Sequence, residues 1–457
     1  MCYPAAVGIA LIAAGLAMLA YPYALAQNGW VGIAIFCSLA AATRYTAGII
    51  ARSIDTCGGP RKCGTYADLG YAAFGLPGAS LITTCFFMEL IGAACAGYVV
   101  VFADNVHVLN VHHTVAFYAV IAVLVVLPTT WFRDLSYLSA VSFIGVLSAC
   151  VLTVVVLYSG FHIRSGPGSL HEPQATAALH ISNVPYTLGV WMAGFAGHAV
   201  VPQLYCSMAE PDRFGTVLNI SYAAVIPLYL LVAVSAYLMY GEGVATQVTL
   251  SLPDGIVTEI CLYMIVLNCV CKFALTLAPV SEVVEGVIDQ LRSGSGPPQA
   301  MPPTWEEDEL SLNTLAQGSP SFDFQANDAE SVALSGWDTP LLSPRSAFQL
   351  PSRSPLAPNK DGAGATSTKL RMWLRMVCIR ALLCGVILGV AILVPDFDRL
   401  LSFCGSLLSF TVSIAFPPLA YIKLHPHISK CAKAGNWALG ITGALLAAVG
   451  TVASVMQ

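Results

Sequence analysis

The chain has 457 residues, 57% of them hydrophobic and only 10% charged, against roughly 45–50% apolar and about 25% charged in an ordinary soluble domain. Residues 291–368 hold 4 of the 20 Lys+Arg and 9 of the 25 Asp+Glu, which leaves 16 of each elsewhere, so the net charge of −5 belongs to one loop and the remaining body is neutral. A soluble core of this size is excluded because single cores stop growing near about 250–300 residues, and nucleic-acid binding is excluded because no basic face is left; a polytopic protein in a lipid bilayer remains.

Hydropathy predicts eleven membrane helices, in order Tyr3 to Gln27, Gly29 to Arg52, Gly78 to Ala103, Thr114 to Phe132, Leu135 to Tyr158, Val184 to Met208, Val217 to Tyr240, Gly255 to Leu277, Met372 to Val394, Leu400 to Leu424 and Trp437 to Val455. Each must be helical, because backbone groups in lipid have to be satisfied internally. The first is read as a retained helix and not a signal peptide, since it lacks a basic leading region and runs straight into a second span. The chain begins almost inside it, so an amino-terminal tail preceding it is an open reading.

Orientation follows from the flanking cations. One set of loops holds Arg52, Arg61, Lys62, Arg133, Arg213, Arg292, Lys369, Arg371, Lys423, Lys430 and Lys433, while the other holds only Arg164 and Arg399. The first set is expected to be cytosolic, with the amino terminus inside. Most of the 15 cysteines lie in apolar runs and read as small hydrophobes. Cys57 and Cys63 are in a loop, but their spacing matches no zinc site, and neither a metal nor a cofactor is expected.

The stretch 291–368 is rich in Ser, Pro and Gly, carries the run Glu306-Glu307-Asp308-Glu309 and has no helical period, so it is expected to be a disordered cytosolic loop. Its Ser-Pro and Thr-Pro pairs at Ser319, Thr339, Ser343 and Ser354 could accept phosphate and so recruit a cytosolic partner. An inert linker is the plainer reading.

Two spans are interrupted, and they are the first and the sixth. The first contains Gly15-Leu-Ala-Met-Leu-Ala-Tyr-Pro22 and the sixth Gly194-Phe-Ala-Gly-His-Ala-Val-Val-Pro202. Interior glycine weakens a helix by about 1 kcal/mol and proline by about 3 kcal/mol. A break in mid-membrane also needs a polar ligand to satisfy the freed groups. Matched breaks five spans apart point to an inverted-repeat transporter with its site between them, whose free amides suit a carboxylate and whose free carbonyls suit an ammonium. That pairing describes an amino acid. Two Pro-kinked helices are the bland alternative.

Few ionisable groups lie within the spans, and each needs an explanation. Glu89, midway along the third, is the first candidate for carrying a proton. Lys272, in the eighth, either snorkels to the interface or supplies a fixed positive charge. His198 lies inside the second break, where it either binds substrate or makes a structural hydrogen bond. Arg44 and Arg380 are close enough to the cytosolic face to snorkel. No His-Glu-x-x-His, Gly-x-Ser-x-Gly or paired intramembrane aspartates are present, so the chain is not expected to be an enzyme.

Together these residues resemble the amino acid/auxin permease family, in its vacuolar and vesicular amino acid transporter branch. The resemblance rests on Gly15 to Trp30 (GLAMLAYPYALAQNGW) and Phe195 to Met208 (FAGHAVVPQLYCSM). Further matches are Met88-Glu-Leu with Asp104-Asn105, Lys272-Phe-Ala-Leu-Thr with Pro279, and Gly405-Ser-Leu-Leu-Ser-Phe with Pro417-Pro418. It implies an all-α, leucine-transporter-like fold of two inverted five-helix repeats plus an eleventh helix. On that scheme residues 1–158 form the first repeat, 184–290 and 369–424 the two parts of the second, and 435–457 the extra helix.

The same resemblance implies proton-coupled amino acid transport. Gly15, Leu16, Ala17 and Leu19 would line the carboxylate end of the site and Gly194, Phe195, Gly197 and His198 its ammonium and side-chain end. Ala17 stands where the family pattern has a second glycine, which adds a methyl group near the carboxylate. The expected function is secondary transport of neutral amino acids by alternating access, as symport or antiport, in a vacuolar, lysosomal or other endomembrane. The alternatives are a plasma-membrane amino acid or auxin-like permease and a membrane sensor that binds an amino acid and signals through the 291–368 loop.

Overall fold

Apolar sequence that must satisfy its own backbone yields helix throughout, and the computed structural model contains only helical elements among its described residues, which are 16–59, 63–131, 138–208, 210–293 and 362–457. Nine helices there are long and apolar enough to cross a membrane. The protein is thus an all-α, multi-pass membrane protein, as its composition required.

A 3-10 turn, Leu16–Leu19, leads into α1 (Tyr21–Asn28), followed by α2 (Val31–Thr56). A helical stretch that hydropathy did not mark precedes the next span. Thr65 and Asp68 form a reciprocal capping box that launches α3 (Tyr66–Glu89), which is bent where Gly75 takes φ +66° just ahead of Pro77. A Cβ on Gly78 would lie 2.5 Å from the Gly70 carbonyl oxygen, so the two limbs of the bend pack backbone to backbone. From Leu90 to Ala96 the helix loosens into a π turn before α4 (Gly97–Leu109).

Then come α5 (Val115–Thr129), α6 (Leu138–His162), α7 (Val184–Ala193), α8 (Val201–Cys206) and α9 (Phe214–Tyr240). The long α10 (Ile256–Ser293) and α11 (Gly362–Leu393) extend into both ends of the stretch expected to be a disordered loop. The phosphate-acceptor candidates Ser319, Thr339, Ser343 and Ser354 lie outside the described residues. The tenth span is α12 (Phe397–Cys404), two successive π turns (Gly405–Ser409 and Thr411–Ala415) and α13 (Phe416–Leu424); α14 (Lys430–Met456) completes the bundle.

Small residues let the sixth and tenth spans touch through their backbones. A Cβ on Gly189 of α7 would lie 2.0 Å from the Ser402 carbonyl oxygen, and one on Gly405 would lie 1.9 Å from that of Gly189. Ser402 Oγ donates to the Tyr186 carbonyl at 2.6 Å, and Tyr186 Oη donates to Asp398 Oδ2 at 2.5 Å. Between α1, α2, α7 and α9 the core is aromatic. Tyr21, Phe36, Trp191 and Tyr229 are fully buried, with ring centroids 5.0 Å apart for Tyr21–Trp191 and 5.1 Å for Tyr21–Tyr229.

Arg380 departs from the snorkelling expectation. Arg380 is buried, paired through Nε with Glu285 at 3.0 Å and donating to the Thr130 carbonyl, so it joins α5, α10 and α11. Arg44 donates to Asn219 Oδ1 at 2.8 Å and to the Gly215 carbonyl at 3.2 Å, fastening α2 to α9.

Candidate functional site

The sixth span is open between α7 and α8, over residues 194–197, and resumes through a 3-10 turn, His198–Val200. In a continuous helix the Phe195 N–H would bond the Trp191 carbonyl; here it turns to Met192 at 2.9 Å. The carbonyl so freed accepts from Tyr21 Oη at 3.3 Å. Tyr21 opens α1, immediately after the 3-10 turn, and a Cβ on Gly194 would lie 1.5 Å from its hydroxyl and 3.3 Å from Ala17 Cβ. The break in the sixth span therefore meets the turn that leads into α1, and only glycine at 194 permits it.

Pro22 and Pro202 are each the second residue of the helix that follows a break. A missing N–H costs nothing there, and the fixed φ suits the first turn. Both prolines start the second half-helix and free no carbonyl in its interior.

Of the residues expected on the first break, Leu16, Ala17 and Leu19 are buried in the 3-10 turn, and Gly15 lies outside the described residues. On the second break Gly194, Phe195, Gly197 and His198 border one cavity of about 70 Å³, closed on its far side by Ala47 of α2 and by α9. His198 is 2% exposed, with Nε2 3.0 Å from the Thr43 carbonyl oxygen and 2.9 Å from Thr46 Oγ1. A carbonyl can only accept, so Nε2 carries the proton. The ring ties the break to α2.

Glu89 is 8% exposed and accepts from Ser409 Oγ. It closes α3 just before one π turn, and Ser409 closes another. π turns widen a helix by one residue and leave carbonyls without their usual partners. The carboxylate and hydroxyl thus face each other where both helices are locally unwound. Lys272 is also 8% exposed. Its chain lies against Gly145 of α6, where a Cβ would meet Cε at 2.6 Å and Nζ at 2.9 Å, so it fills a notch between α6 and α10 and does not reach the interface.

Sequence reasoning passed over Tyr21, Ser409, Thr43 and Thr46. Tyr21 had a local signal, as a bulky residue next to Pro22 in a break; the others are visible only once α2 and the tenth span are placed.

Comparison with known proteins gives the family of the chain. A family profile described as "Transmembrane amino acid transporter protein" matches residues 5–456. Among individual relatives, "Amino acid transporter AVT1E" of Arabidopsis thaliana is 34% identical over 60% of this chain and 52% of its own length. "Amino acid transporter AVT1H" of the same plant is 27% identical over 96% of this chain and 86% of its own. The chain thus spans about half the length of AVT1E and of AVT1D, the latter 34% identical. Each name is that of a transporter, in keeping with a chain not expected to be an enzyme. Among solved structures, the Eremococcus coleocola manganese transporter in complex with an aromatic bis-isothiourea substituted compound aligns with 99% of this chain and 86% of its own, at 12% identity and a TM-score of 0.46.

Proposed function

The chain belongs to the transmembrane amino acid transporter protein family, and from that premise we propose that it is a secondary active transporter of neutral amino acids, working by alternating access and driven by protons. The observation that carries this reading is the meeting of the sixth-span break with the turn that leads into α1, at Gly194, Tyr21 and Ala17. Backbone groups freed within a membrane are costly alone and become useful when a zwitterion satisfies them. The substrate carboxylate is assigned to the first break and its ammonium to the carbonyls of residues 194–197. Glu89 is the proposed proton carrier, because it is an acid removed from water whose partner, Ser409, can donate to the carboxylate or accept from the protonated acid. The cation-rich loops are placed in the cytosol together with the amino terminus. Residence in a vacuolar or related endomembrane, and recruitment of a cytosolic partner by the 291–368 loop, complete the proposal.

The test is uptake of radiolabelled amino acids into proteoliposomes containing the purified protein, with and without an imposed pH gradient. Gradient-stimulated uptake is expected. Gly197→Leu should abolish it by filling the break, and Glu89→Gln should remove the stimulation while leaving exchange of internal for external amino acid. Saturable binding without flux in either gradient direction would sink the transporter reading and leave a sensor.

A further inference from the structure

The cavity at the second break has walls from elements that neither interruption contains. Beside the break stand Ala47 of α2 and Leu218, Ser221, Tyr222 and Val225 of α9. Among the described residues no Asp, Glu, Lys or Arg lines it. The one histidine there, His198, has Nε2 engaged by Thr43 and Thr46. The nearby cation Arg44 has Nε and Nη2 engaged by Asn219 and Gly215. The Phe195 and Tyr222 rings lie nearly parallel, 6.2 Å between centroids and 6° between planes. A charged side chain entering this space would lose its water with no ionised group in the lining itself to offset the loss, Arg44 standing outside it, at a cost of several kcal/mol.

Size is the second constraint. The cavity measures about 70 Å³, and a single water needs roughly 10–15 Å³ by the same measure of space. It therefore has room for on the order of five water-sized bodies, which suits a branched aliphatic chain and not an indole.

We propose that this cavity is the side-chain subsite for the transported amino acid, that it takes aliphatic side chains, and that Val225 and Ala47 set the largest chain admitted. The proposal rests on the reading that substrate binds at the sixth-span break, because only then does the cavity adjoin the ammonium-binding carbonyls. Val225 and Ala47 are specificity-determining residues on this view, and they act by volume. A pocket of this kind discriminates by about 10–200-fold per methylene gained or lost.

The experiment measures KM for tritiated leucine, alanine and phenylalanine in proteoliposomes containing the wild-type chain, Val225→Phe, Val225→Ala and Ala47→Val, with Gly197→Leu alongside. Val225→Phe and Ala47→Val are expected to raise the leucine-to-alanine KM ratio at least about tenfold. Val225→Ala, which introduces no clash, should lower the phenylalanine-to-leucine ratio by a similar factor. Unchanged ratios in Val225→Ala and Ala47→Val overturn the subsite, and so does a wild-type protein that transports alanine but not leucine. If Gly197→Leu abolishes uptake while those ratios stay fixed, the break remains the site and only the subsite fails. If Gly197→Leu leaves uptake intact, the reading beneath it fails as well.

Discussion

At the scale of single residues, the two loop thiols show how an ordinary-looking pair acquires unequal chemistry. Cys57 follows the end of α2, outside the membrane span, and is half-buried, whereas Cys63 is buried. A hydrogen bond from the Cys63 thiol holds the Cys57 thiol below its usual range against the opposing effect of burial, while the same contact, with burial, pushes Cys63 up. The thiolate is the form that alkylates, so Cys57 is predicted to react with iodoacetamide faster than Cys63 at a given pH. Cys63→Ala removes the donor and raises the Cys57 pKa. The alkylation midpoint of Cys57 should then move to higher pH, and its rate at pH 7 should fall severalfold. Peptide mass spectrometry after timed labelling measures this, and an unchanged rate in Cys63→Ala would show that the bond does not hold the thiolate.

At the scale of elements, contacts between helices decide what each glycine is worth. Gly189 and Gly405 lie under facing backbone that cannot step aside, whereas a Cβ on Gly385 or Gly389 of α11 would meet nothing within 4 Å. Gly189→Ala should therefore destabilise by about 1–3 kcal/mol or more, as overpacking does. Gly389→Ala should be neutral or stabilising by up to about 1 kcal/mol, because only the helix-propensity difference remains. Tryptophan-fluorescence melting in detergent reads both, and equal melting temperatures for the two variants would contradict the packing. The contrast also marks what the sequence could reveal. The break in the sixth span was legible because Gly and Pro act locally, and the spans were legible because lipid demands long apolar helices. The early start of α3 was hidden because hydropathy is blind to the capping box at Thr65 and the bend at Gly75. The π turns lie in runs of small residues that read equally well as plain helix. The burial of Lys272 needed Gly145 from another helix, and the engagement of His198 needed Thr43 and Thr46, which no spacing within the sixth span can show.

At the scale of the molecule, the two ends of the sixth span are held differently. Beyond the break, α8 is a short helix whose Tyr205 donates to Asp55 at 2.6 Å, and the cavity lies between it, α2 and α9. Ahead of the break, α7 is fastened to α12 by the Tyr186–Asp398 and Ser402–Tyr186 hydrogen bonds, and Asn183 reaches back to Gln27 of α1 at 2.8 Å. The buried Asp398 carboxylate thus holds the first half of the sixth span against the tenth. An alternating-access protein must release such a grip once per cycle, and a grip made of two or three hydrogen bonds is of the right size to be released. Removing that acceptor leaves the buried Tyr186 hydroxyl unpaired, at about 1–3 kcal/mol. Asp398→Ala should therefore shift the population toward states open at that end. The measurement is labelling of a Gln27→Cys reporter by a membrane-impermeant maleimide, read as a mass shift on the reporter peptide. A change of about 1.4 kcal/mol is tenfold in an equilibrium, so labelling roughly tenfold faster in Asp398→Ala is expected. Equal rates in the two backgrounds would mean that the packing of Gly189 on Gly405, and not the carboxylate, keeps that end shut.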